Sequence, residues 1–207
     1  MTRAKGSVGN LTLVTSKGRM IAKQKISIMS NPRTERQQSQ RSALALAVAL
    51  WQYMGSVIKS GITVYPQFGS QYNGFVNQNI AFLKGCTIDP NAIRNQDLVG
   101  VKATNGNLGA INFTTDEIAT DSASFNFPAG ALKNIAKVGD SVKLVIGSGL
   151  QSEMGYFVRQ LVDSDLTSSA NYLEIAGDFS RYSTAPVYTI WVESADSTKS
   201  TSSVFKS

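Results

Sequence analysis

The chain has 207 residues, of which 42% are hydrophobic and 16% charged, and its formal net charge is +6. This length is enough to bury a substantial core, and the single cysteine, Cys86, excludes an intrachain disulfide. The chain has no histidine, which removes the commonest general base and excludes a Ser-His-Asp or Cys-His site within one chain.

Residues 1–30 predict a β-hairpin arm that carries much of the positive charge. A strand over residues 11–15 leads into a turn at residues 16–18, and the return strand alternates polar and apolar residues. Period two places Arg19, Lys23 and Lys25 on one face. Up to residue 41 the chain has nine basic residues and one acidic residue, Glu35. The arm's first residues contain no apolar segment, so we expect no signal peptide.

The cationic face of the arm has three interpretations. It meets an acidic protein surface, it contacts nucleic acid, or it is a solvated face whose lysines protect an edge strand. The arm contains no Phe, Tyr or Trp. Nucleic-acid readout usually combines aromatic side chains with cations, so contact with nucleic acid would be non-specific.

A long helix is predicted over residues 34–60. Thr34 fits the N-cap position, with Gln37 three residues later as in a capping box, and a run of Ala and Leu residues follows from Ala43. Gly61 suits the end of the helix. The longest apolar run, residues 43–51, is shorter than a membrane span needs, so we expect no membrane insertion.

This helix carries two apolar stripes, whereas a surface helix needs one. One stripe is Leu44, Val48, Trp51 and Ile58, and the other is Leu46, Leu50, Tyr53 and Val57. Two stripes indicate burial on two sides, by the chain's own β structure and by another copy; the alternative is a core helix enclosed by its own domain. The predicted oligomer or partner interface consists of Arg19, Lys23, Lys25, Arg36, Arg41, Leu46, Leu50, Trp51, Tyr53 and Val57.

The rest of the chain predicts a shorter helix over residues 70–83 and then short strands. The strands are expected at residues 98–103, 109–113, 124–127, 141–146, 156–162, 172–176, 186–194 and 202–205, with a short helical crossover over residues 128–136. The predicted fold is mainly β with α (α+β): a hairpin arm, a helical pair and an immunoglobulin-like antiparallel β-sandwich. The predicted domains are residues 1–30, 31–85 and 86–207.

Candidate chemistry is sparse, and we expect a non-enzymatic protein without metal or cofactor. Asp163-Ser164-Asp165 lacks the glycine and the distal glutamate of a calcium loop, so a solvated turn is favoured. A sugar-binding platform of aromatic residues is one interpretation of the strand aromatics, but the core of the sandwich is favoured. Those aromatics are Tyr156, Phe157, Tyr188 and Trp191.

Several motifs together resemble an uncharacterised domain family of Bacteroidota and of the crAss-like phages that infect them. They are the glycine-containing hairpin from Gly6 to Arg19, the helix start from Pro32 to Arg41, and the segment from Tyr72 to Asn79. A weaker similarity covers the closing part of the chain, residues 139–205. The family pattern has a Pro-x-Thr-x-x-Gln-x-x-Gln-Arg helix start and a Tyr-Asn-x-Phe-x-x-x-Asn motif. The resemblance implies no activity, and its phage members look like virion structural proteins.

The expected function is therefore that of a phage structural protein, a ring or head–tail connector or a tail component. It would form homo-oligomers, contact other virion proteins, and reside in the virion after assembly in the host cytoplasm. One alternative is a cell-surface β-sandwich module that binds glycan or protein. A second is a non-specific nucleic-acid-binding protein.

Overall fold

The computed structural model describes residues 6–16, 19–25, 33–65, 67, 69–149, 153–182 and 184–207. The chain divides into two compact units, unit 1 over Met1–Gln38 and unit 2 over Ser39–Ser207. The predicted turn residues Lys17 and Gly18, and the helix-preceding Asn31 and Pro32, lie outside the described residues.

Unit 1 contains a three-stranded antiparallel sheet with the order β1-β2-β3. The strands are β1 (Gly6–Val8), β2 (Leu11–Ser16) and β3 (Arg19–Gln24). Gly9 and Asn10 form the two-residue connection between β1 and β2, and Gly9 has a φ of 55°, which glycine adopts without strain. The predicted hairpin is confirmed by the pairing of β2 with β3, although residues 26–28 of its expected return strand lie outside the described residues. Strand β1 was not predicted from the sequence.

The long helix, α1 (Glu35–Ile58), matches its prediction closely and continues as a 3₁₀ turn, Lys59–Gly61. Its start is fixed by the predicted cap, because the Gln37 backbone N–H donates to Thr34 Oγ1 at 3.4 Å. One stripe of α1 is buried. The buried hydrophobic residues of this stripe are Ala43, Leu46, Ala47, Leu50, Met54 and Ile58.

Unit 2 continues with α2 (Gln71–Leu83) and a series of strands around the short helix α3 (Ala131–Ile135). The strands are β4 (Lys102–Thr104), β5 (Thr114–Ile118), β6 (Ser122–Asn126), β7 (Ser141–Ser148), β8 (Met154–Gln160), β9 (Tyr172–Ala176), β10 (Pro186–Glu193) and β11 (Ser203–Val204). They pair antiparallel in the orders β10-β7-β8, β5-β6-β9 and β11-β4. The predicted strand at residues 109–113 is wrong, since only Ala110 makes a bridge, to Ser202.

Strands β7 and β10 are buried on both faces. On one face Val145, Val187 and Trp191 belong to a core that contains the buried stripe of α1 and Phe75 of α2. On the other face Leu144, Ile146 and Ile190 pack in a second core with β6 and β9. This double burial explains why both strands are nearly continuous runs of apolar residues in the sequence.

The predicted α+β class, rich in antiparallel sheet, is confirmed. Helices α1 and α2 share one core with strands β7 and β10, and residues 39–207 form a single compact unit. A domain boundary between residues 85 and 86 therefore does not separate two folded bodies, because the strands that cover α1 come after it.

Among the residues that the structure describes, one helical stretch, Glu35–Gly61, is long and apolar enough to span a membrane by length and composition. Its most apolar stripe packs on β7 and β10 through Leu50, Met54 and Ile58. That packing is typical of the core helix of a folded domain.

Candidate functional site

The predicted basic residues lie on the surface of the protein. Arg19 and Lys23 share one face of β3, and Lys25 follows the strand. All three side chains are exposed, as are those of Arg36 and Arg41 in the first turns of α1. Unit 1 has eight basic residues and one acidic residue, so it carries +7, while unit 2 carries −1.

The opposite face of the sheet in unit 1 is apolar and exposed. The pairing of Val8 with Leu11 and of Leu13 with Ala22 places these four residues on the same side as Met20. The exposed fractions of Val8, Met20 and Leu11 are 72%, 63% and 50%. A small sheet with an uncovered apolar face is not stable by itself and presents a surface for a partner.

The predicted helical interface needs correction. Leu46 and Leu50 are core residues, since both are buried within unit 2 and pack against the chain's own strands. Trp51 packs against α2, with ring centroids 5.8 Å from Tyr72 and 5.6 Å from Phe75. The stripe that contains Leu46 and Leu50, which we assigned to a partner, therefore faces the chain's own sheet.

Tyr53 and Val57, also predicted at the interface, are half-buried against the same core. Tyr53 donates its hydroxyl to Asn95 Oδ1 at 2.7 Å, and the Asn95 amide donates to the carbonyls of Ser148 and Glu153. Burial, with a smaller contribution from the negative charge of Asp97, raises the pKa of Tyr53 to about 12. These contacts join α1 to the ends of β7 and β8.

Leu44 and Val48 are the part of the predicted stripes that remains exposed. They lie one turn apart on α1 and therefore on the same side of the helix. The idea of a helix that is apolar on two sides is thus retained only for this short segment.

The Tyr-Asn-x-Phe-x-x-x-Asn motif has a structural role. Phe75 is buried in the helical core, and Asn79 is a buried polar residue. The Asn79 amide donates to the carbonyl of Lys102 at 2.9 Å, and its Oδ1 accepts from the Lys102 N–H at 2.8 Å. Asn79 thus pairs with β4 as a neighbouring strand would, which explains a buried amide at this position.

An ion pair is buried where the 3₁₀ turn meets β7 and β10. Lys143 Nζ lies 2.7 Å from Glu193 Oε1 and 3.2 Å from Ser60 Oγ, and Ser197 donates to Glu193 at 2.8 Å. Burial opposes ionisation of Glu193, but the hydrogen bonds from Lys143, Ser197 and Ser60 and the Lys143 charge outweigh it and lower its pKa.

This cluster contains a serine beside a lysine, a pair that serves as nucleophile and base in some hydrolases. Here the lysine is paired with Glu193, and an ammonium group has no lone pair with which to accept the proton of Ser60. The hydroxyl-rich cleft of about 600 Å³ beside it is lined by Ser56, Ser60, Thr63 and Thr198, among others. The geometry suits a structural ion pair, whose partners Ser60 and Ser197 also line the neighbouring cleft.

The two remaining candidate sites, the acidic loop at residues 163–165 and the platform of strand aromatics, are explained by contacts within the fold. Asp165 accepts from Arg159 at 2.8 Å and from the Val162 N–H, and no cluster of three metal-ligating side chains occurs among the described residues. Phe157 is half-buried and stacks on Phe179. Tyr188 and Trp191 are buried in the two cores, so of the proposed aromatic platform only Tyr156 is exposed.

The fold defines an α+β protein in which two helices cover one face of a two-sheet β-sandwich, preceded by a small charged sheet. Residues 3–123 match the family of unknown function DUF6266. The match covers more than half of the chain, which therefore belongs to this family. No curated protein and no solved structure matches the chain.

Proposed function

We propose that this protein is a non-enzymatic structural subunit that assembles with other copies of itself through the sheet of unit 1. The observation that carries the proposal is the exposed apolar face formed by Val8, Leu11 and Met20. A three-stranded sheet gains its stability from a covered apolar face, so assembly supplies the missing cover. On this proposal the protein is a ring, head–tail connector or tail component of a phage particle, as the family resemblance implies.

The charge distribution supports assembly between unlike surfaces. Unit 1 carries +7 and unit 2 carries −1, so two units 1 repel each other. A neighbouring unit 2, or another virion protein with an acidic surface, is the better partner for unit 1. Contacts of this head-to-tail kind generate rings when the rotation between subunits closes.

The test is the mass of the full-length protein in solution, measured by light scattering and by electron-microscopic class averages. We expect a closed multiple of the 22.2 kDa chain. The double substitution Val8→Lys/Met20→Lys should dissociate it, because the lysines place charge in the apolar contact. Ser7→Lys/Thr12→Lys adds the same charge to the opposite face and is the matched control. A full-length chain that stays monomeric at its highest soluble concentration contradicts the proposal.

Non-specific nucleic-acid binding is the second candidate, and the exposed cations Arg19, Lys23 and Lys25 are the observation in its favour. Each phosphate contact contributes about −0.9 to the slope of log affinity against log salt. Arg19→Ala/Lys23→Ala should therefore reduce the slope for duplex DNA by about 2 if those side chains bind phosphates. A slope that these substitutions leave unchanged contradicts this candidate.

A further inference from the structure

We propose that strand β8 is the docking site for strand β3 of a second copy of the chain, the two strands pairing edge to edge. This inference rests on the proposed function, since it names the edge of unit 2 that receives unit 1 of another copy and brings Met20, at the β3 side of the apolar face, beside β8. Such pairing would join the sheet β1-β2-β3 of one copy to the sheet β10-β7-β8 of the next, so that main-chain hydrogen bonds connect the subunits.

Strand β8 has a free edge. It is the last strand of the sheet β10-β7-β8 and pairs only with β7 among the strands that the structure describes. Proteins usually protect such an edge with proline, lysine or a bulge, and β8 contains neither proline nor lysine. Its one charged side chain, Arg159, bonds the Glu174 carbonyl and the Asp165 carboxylate.

The face of β8 on the helical side is apolar and exposed. Tyr156 and Val158 lie two residues apart and are 44% and 50% exposed. Their direct neighbours on β7 are Val145 and Lys143, of which Val145 is covered by the core with α1. The helical core thus covers β7, β10 and Met154 at the start of β8 but leaves Tyr156 and Val158 open, and an added strand would extend the sheet beside these two side chains.

The acidic residues around β8 favour its pairing with a basic strand. Glu153 precedes the strand and Asp163 follows it closely, and both are exposed, as is Glu174 on β9. Arg181 lies 3.5 Å from Glu153, but an ion pair with both side chains this exposed contributes little. Antiparallel pairing of two β8 strands would bring Glu153 of one copy near Asp163 of the other, and like charges facing each other are destabilising.

Strand β3 has the matching properties. It is the edge strand of the unit 1 sheet, and it carries Arg19 and Lys23, with Lys25 directly after it. Arg19 and Lys25 are six residues apart, about 20 Å along a strand, which is close to the length of the seven-residue β8. Cations can therefore lie near both acidic ends of β8. Met20 and Ala22, on the other face of β3, would extend the apolar surface of Tyr156 and Val158.

Disulfide trapping between two differently labelled copies tests the pairing in the full-length protein. In a Cys86→Ser background, one copy carries Ala22→Cys and the other carries Val158→Cys. After mixing and mild oxidation we expect a disulfide-linked species of twice the chain mass, because only paired strands bring the Cα atoms within bonding range. Thr114→Cys, exposed on the edge strand β5, is the matched control and should give little of this species.

Charge reversal provides the second measurement. Glu153→Lys/Asp163→Lys should weaken association about tenfold or more. Mixing this variant with Arg19→Glu/Lys25→Glu should restore association, because each copy then meets the opposite charge. All four positions are exposed, and melting curves verify that the variants remain folded.

The results separate the inference from the function on which it rests. If Val8→Lys/Met20→Lys dissociates the assembly while β8 variants assemble normally and Val158→Cys traps no more than Thr114→Cys, the docking site is wrong and the proposed function stands. If the wild-type chain is a monomer, both are wrong. Trapping that needs both cysteines, together with charge-swap rescue, supports both.

Discussion

At the scale of single residues, buried side-chain amides supply hydrogen bonds that the backbone lacks. The Asn79 side chain forms hydrogen bonds with both the N–H and the carbonyl of Lys102. The Asn95 side chain accepts a hydrogen bond from the Tyr53 hydroxyl and donates to two carbonyls near β7 and β8. Each amide joins the helical layer to a strand or strand end. A buried polar group is tolerated because its partners are complete.

Asn79→Ala should lower the free energy of unfolding by about 2 kcal/mol, because the N–H and carbonyl of Lys102 lose their partners in a buried setting. Chemical denaturation measures the change. Asn77→Ala, on the exposed side of the same helix, is the control and should change the free energy by less than about 0.5 kcal/mol. Equal effects at the two positions would show that helix propensity alone matters.

Glu193 makes the stability of unit 2 depend on pH. Its side chain is 1% exposed, and its pKa in the folded protein lies below the ordinary 4.5. A group with a lowered folded pKa stabilises the fold above its unfolded pKa, and this contribution is lost as the pH falls through the folded pKa. The window for loss thus lies below pH 4.5.

Glu193→Gln should destabilise the fold at pH 7 by about 3 kcal/mol, because the Lys143 ammonium, whose side chain is only 14% exposed, loses its carboxylate. The variant should also lose less stability than the wild type on acidification below pH 4.5. Denaturation at several pH values measures both effects. The double variant Lys143→Met/Glu193→Leu should lose much less free energy of unfolding than Glu193→Gln, because neither charge remains without a partner. A loss as large as that of Glu193→Gln would show that the ion pair itself stabilises the fold.

At the scale of elements, α1 shows which of two apolar stripes a fold uses. The stripe with Leu46, Leu50 and Met54 lies in the core shared with the sheet, and Trp51 packs against α2. Leu44 and Val48 stay exposed at the flank of the helix. The apolar pattern could not decide which stripe faces the sheet, because both stripes are apolar and the residues that cover them lie far away in the sequence.

Leu50→Ala should lower the free energy of unfolding by about 2 to 5 kcal/mol, because it leaves a cavity in a fully buried position. Leu44→Ala removes the same atoms from an exposed position of the same helix and should cost less than about 1 kcal/mol. Thermal and denaturant unfolding give the comparison. If Leu44→Ala destabilises the isolated subunit as much as Leu50→Ala does, the Leu44 side chain is buried in solution and its exposed position in the fold is wrong.

Elements with local signals were predictable, and elements without them were not. The cap at Thr34 fixed the start of α1, strands β7 and β10 coincide closely with apolar runs, and β9 coincides with an alternating segment. Strand β1 was missed because Gly6-Ser7-Val8 has no alternation to read and exists by pairing with β2. Residues 109–113 look like a strand, but their backbone makes only an isolated bridge.

The candidate surfaces were predictable in part. The cations of β3 were placed correctly because strand alternation is local. A strand at residues 156–162 was predicted, but its exposed position at the edge of a sheet, as β8, was not. The pair Lys143–Glu193 was not found either, because these residues are 50 apart in the sequence and only the pairing of β7 with β10 brings their strands together. No local pattern marks a strand as an edge strand.

At the scale of the whole molecule, the two units differ in burial. Unit 2 encloses two cores, whereas the strand residues of unit 1 are exposed or half-buried. Hydrogen exchange should therefore be slow in β7 and β10 and fast in residues 6–25 of dilute protein. It should slow in residues 6–25 when the protein concentrates and assembles. Protection there that does not change with concentration would contradict assembly through unit 1.

The sequence by itself determined what depends on near neighbours along the chain. This includes the capped helix α1, the α+β class, the alternation of β3 and the concentration of positive charge before residue 41. The tertiary structure alone decided which stripe of α1 is core, that β7 and β10 are covered on both faces, and that β8 is an open edge. These features depend on contacts between residues far apart in the sequence, and burial is a property of such contacts rather than of any local segment.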